Sequence, residues 1–312
     1  MDGVVGQPHV VRYLREHMAS PQHMMFFGPS GVGKSMASRG FIHEYLTVSG
    51  VPAAEQGAYV LECRSVDDRG IATVRGRLTE FAHRVRRHRG VCAWVFFDDA
   101  DSLPLVSQQA LRRVLETCEL HVRFLFCAAG PETFIEPLQS RCVVLQFMPV
   151  DMTAHGARLR LTHAPELRLD GDAERWLYSM SLGNVRLFVR HLQMLKAAGA
   201  TFVDAALAQT VVNAPPVRKL RALAEASLRG DRLAVTGSLL DLWSTGYSFE
   251  DVVCLLEVVC RTYSFFTPEE AQRLYLACGE GHVAMISNRT RLLDAVALFG
   301  GTKVPPTPPP FG

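Results

Sequence analysis

The stretch Met24-Met25-Phe26-Phe27-Gly28-Pro29-Ser30-Gly31-Val32-Gly33-Lys34-Ser35 decides how the rest of the chain reads. Four apolar residues ending at a glycine read as a buried strand. Lys34 to about Leu46 reads as a helix, stopped before Gly50 and Pro52. Between them, Gly28-x-x-x-x-Gly33-Lys34-Ser35 has the spacing of a Walker A loop. Its glycines let the backbone curl so that amides point at phosphate oxygens. Lys34 reaches the β- and γ-phosphates, and the Ser35 hydroxyl ligates magnesium. Pro29, Ser30, Gly31 and Val32 complete the cradle, and the helix behind it turns its positive end to the same phosphates. A chance glycine-rich turn would lack the strand before and the helix after. The expected ligands are ATP and Mg2+.

Outward from the loop, strand-like and helix-like segments alternate. Ala58–Glu62 is a second strand candidate, and 70 to about 87 reads as a basic amphipathic helix. Val91–Phe97 is a third strand, apolar throughout as parallel strands are. Ser107–Cys118 reads as a helix, with strands at Val122–Ala128 and Val143–Phe147. This alternation predicts an α/β domain with a parallel sheet. The third strand runs into Asp98-Asp99-Ala100-Asp101. An apolar strand ending in two acids behind a Walker A loop is a Walker B pattern. Asp98 is placed to hold magnesium and Asp99 to polarise the attacking water.

After Phe147 the pattern becomes helices with short loops. Ala214-Pro215-Pro216 is the best linker, since tandem prolines cannot continue a helix. The chain therefore divides into an ATPase domain over 1–148, a helical lid over 149–213 and an all-helical domain over 214–300. A proline-rich tail over 301–312 is expected to be extended or disordered. Among the 312 residues, 48% are hydrophobic and 21% charged, enough to bury a core, while a net charge of +2 leaves any polyanion partner to local clustering. Eight cysteines without a C-x-x-C pair argue against a zinc ribbon or redox dithiol, and they read as reduced core residues. The N-terminus lacks an apolar signal core, and no run of eighteen apolar residues exists. A soluble intracellular protein is expected.

Several further stretches narrow the class. Asp67-Asp68-Arg69-Gly70-Ile71-Ala72-Thr73-Val74-Arg75 resembles the S-D-D-R-G-I-x-x-V-R box of the replication factor C small subunits. Gln108-Gln109-Ala110-Leu111-Arg112-Arg113 and Ile135-Glu136-Pro137-Leu138-Gln139-Ser140-Arg141-Cys142 resemble two more of that family's motifs, in order and spacing. Val4-Val5-Gly6-Gln7 looks like its opening segment, and Gly183-Asn184-Val185-Arg186 like its sensor 2 motif. The resemblance covers the chain except the tail.

The resemblance implies an AAA+ ATPase domain, a lid and a helical collar through which subunits assemble. It implies a hetero-pentameric DNA clamp loader that opens a sliding clamp and places it on primer-template DNA during replication. Arg141 would be an arginine finger reaching the nucleotide of a neighbouring subunit. Arg186 would touch the nucleotide from the lid, and Val4 and Val5 would pack near the adenine. Arg69, Ile71 and Arg75 would meet the DNA backbone, at the start of a stretch over 64–89 holding eight arginines against Asp67, Asp68 and Glu80. Backbone contacts of that kind give affinity without reading sequence. The expected setting is the nucleus or another site of replication, with a large DNA virus as a candidate source.

Three departures from the family point to slow hydrolysis rather than lost binding. Asp99 stands where the family usually has Glu, one methylene longer. The sensor 1 position, commonly Asn, falls at Ala129, which cannot orient a water. The chain also starts almost at Val4, without the usual preceding extension. Two alternatives therefore stand beside an active clamp-loader ATPase. One is a nucleotide-binding structural subunit with little turnover. The other is a related AAA+ DNA-remodelling motor such as a branch-migration helicase, which would need a winged-helix domain after Pro216.

Overall fold

The computed structural model describes residues 1, 3–63, 76, 78, 80, 81, 91–118, 121–212, 217–262 and 265–301. The sheet forms where the apolar runs are. Strands β1 (Met24–Phe27), β2 (Val60–Cys63), β3 (Ala93–Phe97), β4 (Val122–Ala128) and β5 (Val143–Gln146) pair in the order β2-β3-β4-β1-β5. Every pairing is parallel, with Phe27 opposite both Ala128 and Gln146. β1 and β3 are buried along their whole length, which is why they read as unbroken apolar runs rather than as alternating ones. Boundaries differ from the sequence reading by one or two residues at β2, β3 and β5.

Helices α1 (Pro8–Glu16), α2 (Lys34–Val48), α3 (Leu105–Cys118) and the single-turn α4 (Glu136–Gln139) belong to the same unit. α1 begins with proline at its first position, where a missing N–H costs nothing. Of the expected basic helix, Gly76, Leu78, Glu80 and Phe81 are described and helical. Leu78 and Phe81, three apart on one face, are buried in the core. Two aromatic pairs sit near the carboxyl ends of the central strands: Phe97 stacks on Phe126 at 5.2 Å, and Phe26 meets Phe147 at 5.1 Å. Full burial of each such ring is worth roughly 2–3 kcal/mol, so the carboxyl edge of the sheet is built on rigid packing.

The chain separates into two compact units. The first is Met1–Ala157 with Gly183–Leu187. The second is Arg158–Leu182 and the residues from Phe188 onward. Helix α5 (Met152–His163) carries the chain from one into the other. The second unit holds α6 (Gly171–Ser181), α7 (Val185–Ala197, from Phe188), α8 (Ala205–Val212), α9 (Val217–Arg229), α10 (Arg232–Ser244), α11 (Phe249–Thr262), α12 (Pro268–Ile286) and α13 (Leu292–Gly300). Its larger core is made by α9 to α13, around Leu223, Leu239, Leu256, Leu274 and Phe299.

Two helix starts in this unit are set by local chemistry. The Asp231 side chain accepts from the Ala234 amide, and Thr267 and Glu270 form a capping box. The expectation of helices alone between 149 and 213 is corrected by a two-stranded parallel pair, β6 (Arg168–Leu169) with β7 (Phe202–Val203). Two-residue strands are too short to show alternation. Among the described residues from 217 to 301 there is no strand, so the wing of a winged-helix domain is absent from them.

The cysteines whose surroundings are described are free thiols. Burial pushes Cys127 and Cys142 up to about 12, so both stay protonated and unreactive. Among the described residues no helix is long and apolar enough to cross a membrane.

Candidate nucleotide site

Parallel sheets bind ligands beyond the carboxyl ends of their strands, and residues 28–35, Asp98 and Asp99 lie there. β1 leads into the loop, β3 into Asp98 and Asp99, and β4 into Ala129. The loop holds a backbone shape that side chains resist. Gly28, Gly31 and Gly33 all have positive φ, and a Cβ on Gly28 would lie 2.3 Å from the Phe147 carbonyl oxygen. Gly28 N–H donates to the Ala129 carbonyl at 3.1 Å, which ties the loop to the end of β4. Pro29 and Ser30 are exposed, while Val32 is buried and anchors the turn from beneath.

Lys34 Nζ donates to the Gly28 and Pro29 carbonyls at 2.6 and 2.8 Å, so its ammonium lies inside the loop. Burial lowers its pKa below the ordinary lysine range, while Asp101, Asp99 and Asp98 oppose the shift. The neutral Cys127 thiol adds no opposing charge, since its own proton is held to about 12. Ser35 Oγ donates to Asp98 Oδ1 at 2.7 Å. Thus the hydroxyl and carboxylate expected to serve one magnesium ion are already neighbours, from α2 and from the end of β3. Hard oxygen donors of this kind suit Mg2+, which is usually held by one or two protein groups plus phosphate oxygens. Among the described residues no cluster of three or more His, Cys, Asp or Glu could hold a metal ion unaided. The residues present fit an ion that arrives with a nucleotide.

Asp99 is exposed and adopts the left-handed backbone, with φ at 51°. Val5 is buried and Val4 half-buried. The Gln7 side chain clamps their segment to Met148 just past β5, with bonds of 2.6 and 3.2 Å. The Gly183-Asn184-Val185-Arg186 stretch reaches the loop directly. The Arg186 amide donates to the Gly31 carbonyl at 3.3 Å, and a Cβ on Gly31 would lie 1.9 Å from Asn184 Oδ1. That same oxygen accepts from the Leu187 amide at 3.0 Å and caps α7. The Arg186 side chain is exposed.

Arg141 is not brought to this loop. It lies two residues before β5, at the amino edge of the sheet, and β5 alone spans about 13 Å. Its Nη1 donates to the Pro137 carbonyl at 2.7 Å. Arg69, Ile71 and Arg75 lie outside the described residues.

Three residues gain importance from the structure. Arg39 bonds Asp98, Asp101 binds the Ala129 amide, and Asn184 covers Gly31. Each left a trace in the sequence. Arg39 is one helical turn beyond Ser35, Asp101 is the third acid after β3, and Asn184 is a helix-capping residue type.

A family profile described as ATPase family associated with various cellular activities (AAA) matches residues 24–150. Fold and loop are those of an AAA ATPase. A replication factor C small subunit of Aeropyrum pernix is 30% identical over 293 residues, covering 92% of this chain and 87% of that protein. One from Thermofilum pendens is 28% identical over 305 residues, covering 96% and 92%. The chain belongs to the replication factor C small-subunit family.

These relatives are archaeal, and they lend no support to a nuclear or viral setting. Among solved structures, a Thermotoga maritima RuvB variant aligns with TM-score 0.51 at 15% identity, over 81% of this chain and 89% of that one. Domain III of the Thermotoga maritima replication initiation protein DnaA aligns at 0.52 and 18%, over 67% and 93%. At these identities the likeness concerns the fold alone.

Proposed function

We propose that this chain is a subunit of a DNA clamp loader, which binds ATP with Mg2+, opens a sliding clamp and places it on primer-template DNA. The observation that carries the reading is the Ser35 hydroxyl bonded to Asp98 beside a loop closed over Lys34. Family membership supplies the clamp and the replication context. Lys34 neutralises the β- and γ-phosphates, the loop amides cradle them, and Ser35 and Asp98 take the ion that screens the developing charge. Asp99 polarises the attacking water. Arg186 approaches the nucleotide in cis from a stretch bonded to Gly31.

Arg141, at the far edge of the sheet, serves a neighbouring subunit's nucleotide, so that assembly gates hydrolysis. In this reading residues 1–148 are the ATPase domain, 149–213 the lid and 214–300 the collar. Arg69, Ile71 and Arg75 follow the DNA backbone. Co-purification with the cognate clamp in the presence of a non-hydrolysable ATP analogue tests it. Clamp retention by the wild-type complex, lost in Lys34→Ala, is expected. Equal retention with and without nucleotide would overturn the reading.

A second reading is a nucleotide-binding subunit whose turnover contributes little. Asp99 and Ala129 favour it, because no side chain at 129 reaches a water and a misplacement of about 1 Å can cost on the order of a hundredfold in rate. Single-turnover hydrolysis by the assembled complex separates the two. An Asp99→Ala complex as fast as the wild type supports the structural subunit.

A further inference from the structure

Arg39 is exposed to solvent over 42% of its side chain, yet it is held from three sides. Its Nη2 donates to Asp98 Oδ2 at 2.9 Å, and its Nε to Glu62 Oε1 at 3.4 Å. Its guanidinium also lies over the Phe96 ring, 5.3 Å from the centroid. The spacing explains the arrangement. Ser35 and Arg39 are four apart on α2 and share a face, while Glu62 and Phe96 are register partners on β2 and β3. Asp98 therefore has one oxygen on the Ser35 hydroxyl and the other on a fixed cation.

We propose that Arg39 is an internal counter-cation for Asp98 that competes with the nucleotide's divalent ion, and so sets the magnesium level at which the site loads. The inference rests on the nucleotide-site reading above. An arginine cannot discharge by losing a proton at working pH. A guanidinium 2.9 Å from the carboxylate spends part of its charge before a metal arrives. To take magnesium, Asp98 must loosen that bond, and Glu62 and the Phe96 ring retain the displaced guanidinium nearby. Arg39 is a positioning residue in this scheme, since it acts through Asp98.

The two possible roles of Arg39 differ in sign. If it only steadies Asp98, removing it weakens magnesium binding. If it competes with the ion, removing it strengthens magnesium binding. The test is a MgCl2 titration of a fluorescent ATP analogue bound to the full chain, without reference to hydrolysis. Arg39→Gln is expected to lower the magnesium midpoint about three- to tenfold, the range for a partly screened charge pair. Arg39→Lys, which keeps a cation but loses the fork to Glu62 and the contact with the Phe96 ring, should fall between wild type and Arg39→Gln.

Glu62→Gln, which loosens the guanidinium from β2, should raise the midpoint and gives an answer even where Arg39→Gln folds poorly. An unchanged or raised midpoint in Arg39→Gln, or an unchanged one in Glu62→Gln, overturns the proposal. The Lys34→Ala variant separates this failure from that of the site itself. If it binds the analogue as tightly as wild type, the nucleotide-site reading falls, and the role of Arg39 falls with it.

Discussion

Both carboxylate oxygens of Asp101 accept the Ala129 amide proton, at 2.9 and 3.1 Å. The bond links the turn after β3 to the end of β4, and the Ala129 carbonyl in turn receives the Gly28 amide. A backbone relay thus runs from Asp101 through residue 129 to the phosphate loop. Asp101→Ala is expected to cost about 1 kcal/mol, since both groups are exposed and water can replace the carboxylate. It should also weaken nucleotide binding, whereas Asp101→Asn keeps one acceptor and falls between. Urea midpoints together with nucleotide titration check both effects.

Gly31 meets two obstacles to any side chain. Its φ is +75°, and a Cβ would overlap the Asn184 amide. Gly31→Ala should destabilise the protein by about 1–3 kcal/mol and weaken ATP binding at least about tenfold if the loop shifts. Asn184→Ala alone should cost about 1 kcal/mol, because it removes the cap on Leu187. The double variant should be less destabilised than the sum, since the clash is gone and only backbone strain remains. Strict additivity in a double-mutant cycle would rule out the contact.

Arg141 sits across the sheet from the loop of its own chain. Arg141→Ala should therefore leave nucleotide binding by the isolated chain unchanged. In the assembled complex it should slow hydrolysis on the order of a thousandfold or more, as loss of a trans-acting arginine does. Equal impairment of the isolated chain and the complex would point instead to a local structural role.

His23 is buried with Nδ1 accepting the Phe124 amide at 3.1 Å, which requires the neutral ring. Burial first, and then Arg123, lower its pKa to about 4. Burial and Arg190 bring His191 to about 4 as well. In both cases the folded value lies below the unfolded 6.5, so the unfolded chain binds more protons between those limits. Stability is fully present above pH 6.5 and is lost as pH falls toward 4, by about 3 kcal/mol for each group. Stability measured by denaturant at pH 7.5 and 5 should differ by about 2 kcal/mol for each group, and His23→Asn should reduce the difference. A flat profile in the wild type would refute this.

How much of the site was legible follows from where its chemistry resides. The turn over Gly28 to Ser35 and the acids after β3 could be located because a Walker A loop has a fixed residue spacing and the acids directly follow an apolar strand. β1 and β3 were readable because strands buried on both faces must be apolar throughout. The pair of two-residue strands at Arg168 and Phe202 was not readable, since its bonds are backbone bonds that any residues can make.

The sequence by itself determined that this chain carries a phosphate loop with its acid partner on a parallel sheet. It also determined, through its motif order, the family to which it belongs. Only the tertiary structure decided that Asn184 closes on Gly31, that Asp101 holds the Ala129 amide, that Arg141 lies at the edge of the sheet opposite its own loop, and that Arg39 occupies one side of Asp98. These are relations between residues distant in the chain or set by strand register. A one-dimensional pattern records which groups are present, and packing alone selects which of them meet.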